Sequence, residues 1–332
     1  MSLELGERLV IAKHRATVRY VGPVEGQEGT WAGVEWDDPS RGKHDGTTSG
    51  KRYFSCSCDS PTAASFVRIS KISRGSSLVD ALVLRYTNQL AEGQAAAAAD
   101  GQVFLHTSGH RKVWVELVGE QKVTERLSKT ELLQAARLVG ANASHVGPAG
   151  ALAAAAPNLV QLDLTDNLLS SWDSVRQICS ELPRLRVLQL SNNRLALPSS
   201  IRSGSPGAVQ VLPGLQCLVL NHCSITWQQV GVLQRCLPNL LELHVASNNI
   251  TSLRVQLEQQ QPQYAADGQQ PATGQPQQQL GSSCADGSLV GFRNLQVLGL
   301  EDNAISSWAE VLRLAGLPSC GGCTSAATPS AA

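Results

Sequence analysis

Residues 31–50 read WAGVEWDDPSRGKHDGTTSG, a glycine-rich segment whose two tryptophans stand five positions apart. Glycines recur at every fourth position from residue 42 to residue 50, and the first interval comprises Gly42, Lys43, His44, Asp45 and Gly46. Glycine at this density is typical of backbone that turns tightly or approaches a ligand closely. A lysine, exposed amide N–H groups and aromatic walls would form a small cationic pocket. Such a pocket suits a peptide that ends in carboxylates and an aromatic residue.

The residues predicted to form this pocket are Trp31, Trp36, Gly42, Lys43, His44, Asp45, Gly46, Lys51, Phe54 and Phe66. Lys43 is expected to contact the carboxylates of a bound peptide. Backbone N–H groups near Gly42 and Gly46 are expected to bind its chain terminus. The terminal aromatic ring is assigned to Trp36 and Phe54. A small domain also needs large aromatic side chains for its core, so about half of these aromatic residues are expected to lie beneath the pocket.

Basic residues outnumber acidic ones around this segment. Between residues 41 and 71, six lysines and arginines accompany two aspartates. This local excess would attract an acidic peptide, although ordinary solvated loops also carry such charges. The formal net charge of the whole chain is zero, which argues against a general nucleic-acid binder and against a membrane-surface protein.

Residues 1–73 are predicted to form a small all-β domain. Runs rich in β-branched and aromatic residues occur at 8–11, 16–21, 33–36 and 66–69, separated by turns that contain glycine and proline. Short strands with glycine-rich connections indicate a barrel-like sheet.

This N-terminal segment resembles the CAP-Gly domains of cytoskeleton-associated proteins. GKHDG at residues 42–46 corresponds to that family's GKNDG motif, with WAGVEWD before it and RYF and SFV after it. The resemblance implies that Lys43 and His44 contact the acidic-aromatic C-terminus of α-tubulin or of end-binding proteins. The usual asparagine of the family is His44 in this chain, which can still donate a hydrogen bond and whose charge varies near neutral pH.

A connector that also caps the next domain is predicted over residues 74–126. Ser77 is a suitable N-cap for a short helix at 78–86. A flexible insertion follows at 92–101, and apolar runs at 103–105 and 113–118 are typical of a paired β element.

The second half of the chain contains an internal repeat. The pattern LxxLxLxxNxL begins at residues 159, 185, 215, 240 and 295, and a degenerate copy begins at 133. This is the leucine-rich repeat, so residues 127–318 are predicted to form an α/β solenoid behind the all-β domain. Alternate leucines should point inward from short strands, while the asparagine satisfies backbone groups where the chain leaves the strand. The chain is therefore expected to be multidomain.

Several side chains recur at equivalent places in the repeats. Trp172, Trp227 and Trp308 are expected to pack a convex-side helix onto the leucine ladder. The side chains expected to face outward between the leucines have mixed charge and do not identify a partner; they are Gln161, Asp163, Gln189, Val219, Glu242 and His244. A Gln/Pro-rich segment at 256–287 and a tail of small residues at 319–332 are predicted to be disordered.

The sequence gives little support for a metal site or an enzyme. Nine cysteines show no disulfide framework, and neither a signal peptide nor a long apolar segment is present, which favours a reducing cytosolic compartment. Cys320 and Cys323 have the spacing of a zinc knuckle but no second pair of ligands, so we expect no metal or other cofactor. Motifs typical of hydrolases, nucleotide-binding proteins and metalloproteases are missing, and we expect no enzyme activity.

The order of the two modules resembles the tubulin-folding cofactor E family. That resemblance implies a cytoplasmic, cytoskeleton-associated chaperone that binds α-tubulin and the α/β-tubulin heterodimer, possible partners being other tubulin-folding cofactors. It does not extend to the family's C-terminal ubiquitin-like domain. The alternative is a microtubule-associated adaptor that binds tubulin tails or end-binding proteins and uses the repeats as a scaffold. Neither interpretation involves nucleic acid or a membrane.

Overall fold

The computed structural model describes residues 3–86, 130–196, 211–254 and 292–316, together with the backbone of two short strands. The described residues form an antiparallel β module followed by a parallel solenoid. The predicted insertion at 256–287 and the predicted tail at 319–332 lie outside the described residues, as does most of the connector.

The N-terminal module consists of six strands: β1 (Arg8–Ile11), β2 (His14–Val24), β3 (Gln27–Trp36), β4 (Thr47–Thr48), β5 (Lys51–Arg52) and β6 (Ala64–Arg68). Four of them form an antiparallel sheet in the order β1-β2-β3-β6, and β4 pairs with β5. Side chains alternate between the two faces of a strand, and on β3 the core side carries Ala32, Val34 and Trp36. The opposite face of β3 is turned toward the loops that follow this strand in the chain.

The connection between the modules is built into the solenoid. β7 (Ser76–Ser77) pairs in parallel with β11 (Ala143–His145), and residues 78–86 form helix α1. The Ser77 hydroxyl accepts a hydrogen bond from the Asp80 amide at 3.0 Å, which is the predicted N-cap. Leu82 and Tyr86 are buried in the solenoid core. Helix α1 thus closes the first end of that core.

Loss of this cap is expected to destabilise the solenoid modestly. Ser77→Ala removes the acceptor for the Asp80 amide and should lower the free energy of unfolding by about 1 kcal/mol. Chemical denaturation followed by far-UV circular dichroism measures the change. Ser73→Ala, an exposed change outside the helix, is the matched control and should leave stability unaltered. Equal effects of the two substitutions would contradict the assignment of the cap.

The remaining strands outside the main solenoid sheet are β8 (Phe104–His106) and β9 (Lys112–Trp114), which pair antiparallel in the region where the sequence predicts a β pair. The solenoid sheet itself is parallel and six-stranded; its strands are β10 (Ala135–Arg137), β12 (Gln161–Asp163), β13 (Val187–Gln189), β14 (Cys217–Val219), β15 (Glu242–His244) and β16 (Val297–Gly299). The middle residues lie side by side in register: Ala136, Leu162, Leu188, Leu218, Leu243 and Leu298. They form the predicted inward ladder, and the degenerate repeat supplies its first strand.

An asparagine follows the strand in most of the described repeats, and it is buried in three of them, as Asn167, Asn193 and Asn248. The Asn193 Nδ2 group donates to the carbonyl oxygens of Leu164 and Leu190, each at 2.9 Å, and its Oδ1 accepts from the Leu169 amide at 3.2 Å. Equivalent bonds are made by Asn167, Asn248 and Asn303. Cys223 replaces the asparagine in one repeat, and its Sγ donates to the Leu190 carbonyl. These side chains join each repeat to the one before it.

Short helices return the chain on the other side of the ladder: α2 (Ala151–Ala155), α3 (Trp172–Glu181), α4 (Trp227–Leu233) and α5 (Trp308–Leu312). Trp172 and Trp227 are each only 3% exposed, which confirms their predicted packing. The same prediction is wrong for Trp308, which is 64% exposed. Helix α5 belongs to the last repeat that the structure describes, so no following repeat covers it within those residues.

Two ion pairs link the modules. Arg15 lies at the start of β2. Its guanidinium contacts the Asp166 carboxylate at 3.0 Å and also donates to the Asp166 carbonyl oxygen. Arg194 lies 3.9 Å from Asp37, whose carboxylate is also bound by the buried Arg8. Burial raises the pKa of Asp37, but the hydrogen bond from Arg8 and the charges of Arg8, Arg194 and Arg15 together outweigh it, so the net pKa is lowered. The carboxylate therefore stays ionised between the two arginines.

Candidate functional site

The glycine loop runs beside β6 and is held by backbone hydrogen bonds. The amides of Lys43 and His44 both donate to the Ala64 carbonyl, at 2.7 and 3.2 Å. A Cβ atom on Gly42 would lie 2.2–2.5 Å from backbone atoms of Thr62 and Ala64, so only glycine fits there. The Gly46 amide donates to His44. The glycines thus serve contacts within the domain, and three of the amides near Gly42 and Gly46, those of Lys43, His44 and Gly46, donate to groups of the domain itself.

His44 points inward as part of this loop. Its Nδ1 accepts the Gly46 amide hydrogen at 3.0 Å, so the proton of the neutral ring is on Nε2. Nε2 is buried, and no hydrogen-bond partner for it occurs in the described part of the chain. Burial lowers the pKa of His44 below its usual value of 6.5, with a smaller opposing effect from Asp45. The imidazole is therefore neutral at physiological pH.

An aromatic cluster lies on the face of the sheet opposite the core. It comprises Tyr20, His44, Tyr53, Phe54 and Phe66. The ring centroids of Tyr20, Tyr53 and Phe66 lie 5.2–6.0 Å apart with edge-to-face geometry. These three rings are partly exposed, whereas Phe54 is buried beneath them. The cluster offers an accessible apolar surface with a rigid base.

Backbone space beneath the cluster is provided by Gly33. A Cβ atom at that position would lie 2.3 Å from Phe54 Cε1 and 2.9 Å from Tyr20 Cβ. Our sequence reasoning missed Tyr20 and Tyr53 as site residues. Tyr53 lies in the RYF run quoted above, but Tyr20 could be found only from its register opposite Gly33 on β3.

Trp31 and Trp36 lie on opposite faces of β3, because side chains an odd number of residues apart point to opposite sides of a strand. Trp36 is 7% exposed, belongs to the core and donates its indole N–H to Ser65 at 3.0 Å. Its assignment to a peptide's terminal ring is corrected accordingly. Trp31 is half-buried, and the Arg68 guanidinium lies 4.7 Å from the centre of its ring.

Free positive charge flanks the aromatic cluster. Lys43 and Lys51 are exposed, and neither makes an ion pair with any residue that the structure describes. The Lys51 ammonium lies 5.2 Å from the Tyr53 ring centre. Asp45 is instead committed to the loop, since it pairs with Arg52 at 2.8 Å. Hydrogen bonds from Thr47, with the Arg52 charge, lower the pKa of Asp45.

The comparisons with known proteins identify this module. Residues 5–72 match the family model of the CAP-Gly domain. The N-terminal module is a CAP-Gly domain. A solved CAP-Gly domain in human Kinesin-like protein KIF13B is 47% identical to this one and covers 23% of this chain and 72% of that chain, with a TM-score of 0.20.

Homology extends from the CAP-Gly domain through the repeats. Tubulin-folding cofactor E of Arabidopsis thaliana is 36% identical over 302 residues, which is 91% of this chain and 49% of the relative. Tubulin-specific chaperone E of Mus musculus is 38% identical over 250 residues, or 74% of this chain and 45% of the relative. These matches confirm the resemblance to the tubulin-folding cofactor E family that the sequence predicted. The chain spans about half the length of the curated relatives it matches.

The names of these relatives describe chaperones and folding cofactors, not enzymes. In the described ranges, no helix has the length and apolar character needed to cross a bilayer.

Acidification is expected to destabilise the CAP-Gly domain through His44. Its folded pKa is lowered, so as the pH falls below about 6.5 the unfolded chain takes up a proton that the folded ring resists. The stability present at neutral pH is then lost progressively. His44→Asn should reduce this decrease between about pH 7 and pH 5, measured by thermal unfolding. The exposed His14→Asn is the control, and an unchanged pH dependence in His44→Asn would contradict the assignment.

Proposed function

We propose that the chain is a tubulin-folding cofactor whose CAP-Gly domain binds the acidic-aromatic C-terminal tail of α-tubulin. In this role it assists assembly or dissociation of the α/β-tubulin heterodimer in the cytoplasm. The observation that carries the proposal is the combination of two unpaired lysines with a partly exposed aromatic cluster. Homology to named tubulin-folding cofactors supports the choice of tubulin over other acidic peptides.

The proposed contacts follow from the chemistry of that surface. Lys43 and Lys51 bind the carboxylates of the tail, because both ammonium groups are exposed and unpaired in the described structure. The aromatic residue at the end of the tail packs edge-to-face against Phe66 and Tyr53, which are partly exposed. Phe54 and His44 support these rings from below.

The expected affinity is micromolar. Burial of the terminal ring stabilises the complex by a few kcal/mol at about 25 cal/mol per Å². A charge-assisted hydrogen bond to Lys43 adds roughly 1.5–3 kcal/mol. Ordering a flexible peptide opposes both contributions, which keeps the total near the free energy of a micromolar complex.

The solenoid supplies a second, broad surface for the same partner. Its parallel sheet presents a continuous row of outward residues, including Asp163, Gln189 and Glu242, and extended repeat surfaces of this kind serve to bind other proteins. Other tubulin-folding cofactors are further proposed partners of this surface.

A pull-down with soluble α/β-tubulin tests the proposal. We expect capture of the soluble heterodimer and, in a turbidity assay, reduced tubulin assembly when the chain is in excess. A microtubule-associated adaptor would instead sediment with polymerised microtubules and leave tubulin assembly undiminished, even where its CAP-Gly domain also captures soluble tubulin. That second pattern would refute the cofactor role while leaving tail binding by the CAP-Gly domain intact.

A further inference from the structure

The outer face of the solenoid sheet brings three metal-binding side chains together. Cys217 on β14 is the direct neighbour of Glu242 on β15, and His244 follows on the same face of β15. One potential ligand atom from each residue lies within 4.8 Å of the others. The His244 Nε2 atom is 3.8 Å from the Glu242 carboxylate. Thiolate, imidazole and carboxylate are the ligands that zinc prefers in proteins.

A second observation concerns the space behind the imidazole. A Cβ atom on Gly299, the neighbour of His244 on β16, would lie 2.7 Å from His244 Nδ1. The same point is 3.0 Å from the Glu301 carboxylate. Glycine at this position of β16 therefore leaves room for the imidazole ring.

We propose that Cys217, Glu242 and His244 bind a Zn²⁺ ion on the outer face of the solenoid. Three protein ligands leave the fourth tetrahedral position open to water or to a side chain of a bound protein. Ligand atoms around zinc are about 3.5 Å apart, so these side chains must approach slightly from their present positions. Glu242 is exposed and Cys217 and His244 are partly exposed, which permits this adjustment.

The small number of ligands limits the expected affinity. Three protein ligands, only one of them a thiolate, hold the ion less tightly than four cysteines would. We therefore expect a dissociation constant in the micromolar range.

Metal titration of the full chain tests this proposal. We expect one equivalent of Zn²⁺ in competition with a chromophoric chelator, and with Co²⁺ a thiolate charge-transfer band in the near ultraviolet. Cys217→Ser and His244→Ala should each weaken binding by about tenfold or more, and Cys217→Ser should abolish the band. Gly299→Ala retains every ligand but displaces the imidazole, and it should weaken binding by about tenfold. Circular dichroism establishes that each variant is folded.

Matched controls separate this site from other thiols. Cys58→Ser removes an exposed cysteine of the CAP-Gly domain, and the double change Cys320→Ser with Cys323→Ser removes the pair that has zinc-knuckle spacing. Both should bind zinc like the unmodified chain. Retention of the cobalt band in Cys217→Ser, or its loss in either control, would overturn the proposal.

Discussion

Asn193→Ala is expected to lower the free energy of unfolding of the solenoid by about 3–5 kcal/mol. The side chain is fully buried and bridges two repeats through the carbonyls of Leu164 and Leu190 and the amide of Leu169. Alanine removes all of these bonds. The buried backbone groups then have neither the asparagine nor water as a hydrogen-bond partner. Urea denaturation followed by tryptophan fluorescence measures the loss, because Trp172 and Trp227 are buried in the same core.

Asn239→Ala is the matched control for this substitution. Asn239 is exposed, and in the described structure its side chain makes one hydrogen bond, to the Pro213 carbonyl at 3.1 Å. Its loss should change stability by less than about 1 kcal/mol. If the two asparagine variants unfold at the same urea concentration, the buried asparagine bonds do not hold the repeats together.

Lys43→Ala is expected to weaken binding of an α-tubulin tail peptide by about tenfold or more, since it removes one charge-assisted contact. Lys43→Glu should weaken it further by repelling the carboxylates. Isothermal titration with a synthetic tail peptide gives the dissociation constants. Lys43 is exposed, so thermal unfolding of the domain should be unchanged in both variants.

Lys71→Ala distinguishes a local contact from a general effect of charge. Lys71 is also exposed but lies in the one-turn helix after β6, outside the glycine loop. Its replacement should leave peptide affinity within about twofold of the unmodified value. Equal weakening by Lys43→Ala and Lys71→Ala would show that net charge, and not a defined pocket, attracts the peptide.

Local patterns in the sequence predicted the solenoid well. The period of the leucines fixes which residue of each strand points inward, and Leu162, Leu188 and Leu218 lie in register as that period requires. The capping role of Ser77 was equally accessible, because a cap depends on a bond to a residue three positions later. Trp308 shows the limit of this reasoning. Its motif matches those of the buried tryptophans, but burial requires a following repeat to pack against it.

The binding site depends on contacts between distant residues, and there the sequence was less informative. The glycine motif predicted a loop with Lys43 exposed, but the amides of that loop bond to Ala64, about twenty residues away. The odd spacing places Trp31 and Trp36 on opposite faces of β3, but which of them faces the core depends on how β3 pairs with its neighbours. Cys217 and Glu242 are neighbours only because the parallel sheet sets adjacent repeats side by side.

Tail capture by the CAP-Gly domain is tested most directly with two forms of α/β-tubulin, one intact and one whose acidic C-terminal tails have been removed by limited proteolysis. Binding of the full chain to each form is measured under identical salt, because charge contacts weaken with ionic strength. We predict that the tailless form binds about tenfold more weakly or worse, and that Lys43→Ala causes little further loss with it. Equal affinity for the two forms would contradict the proposed site.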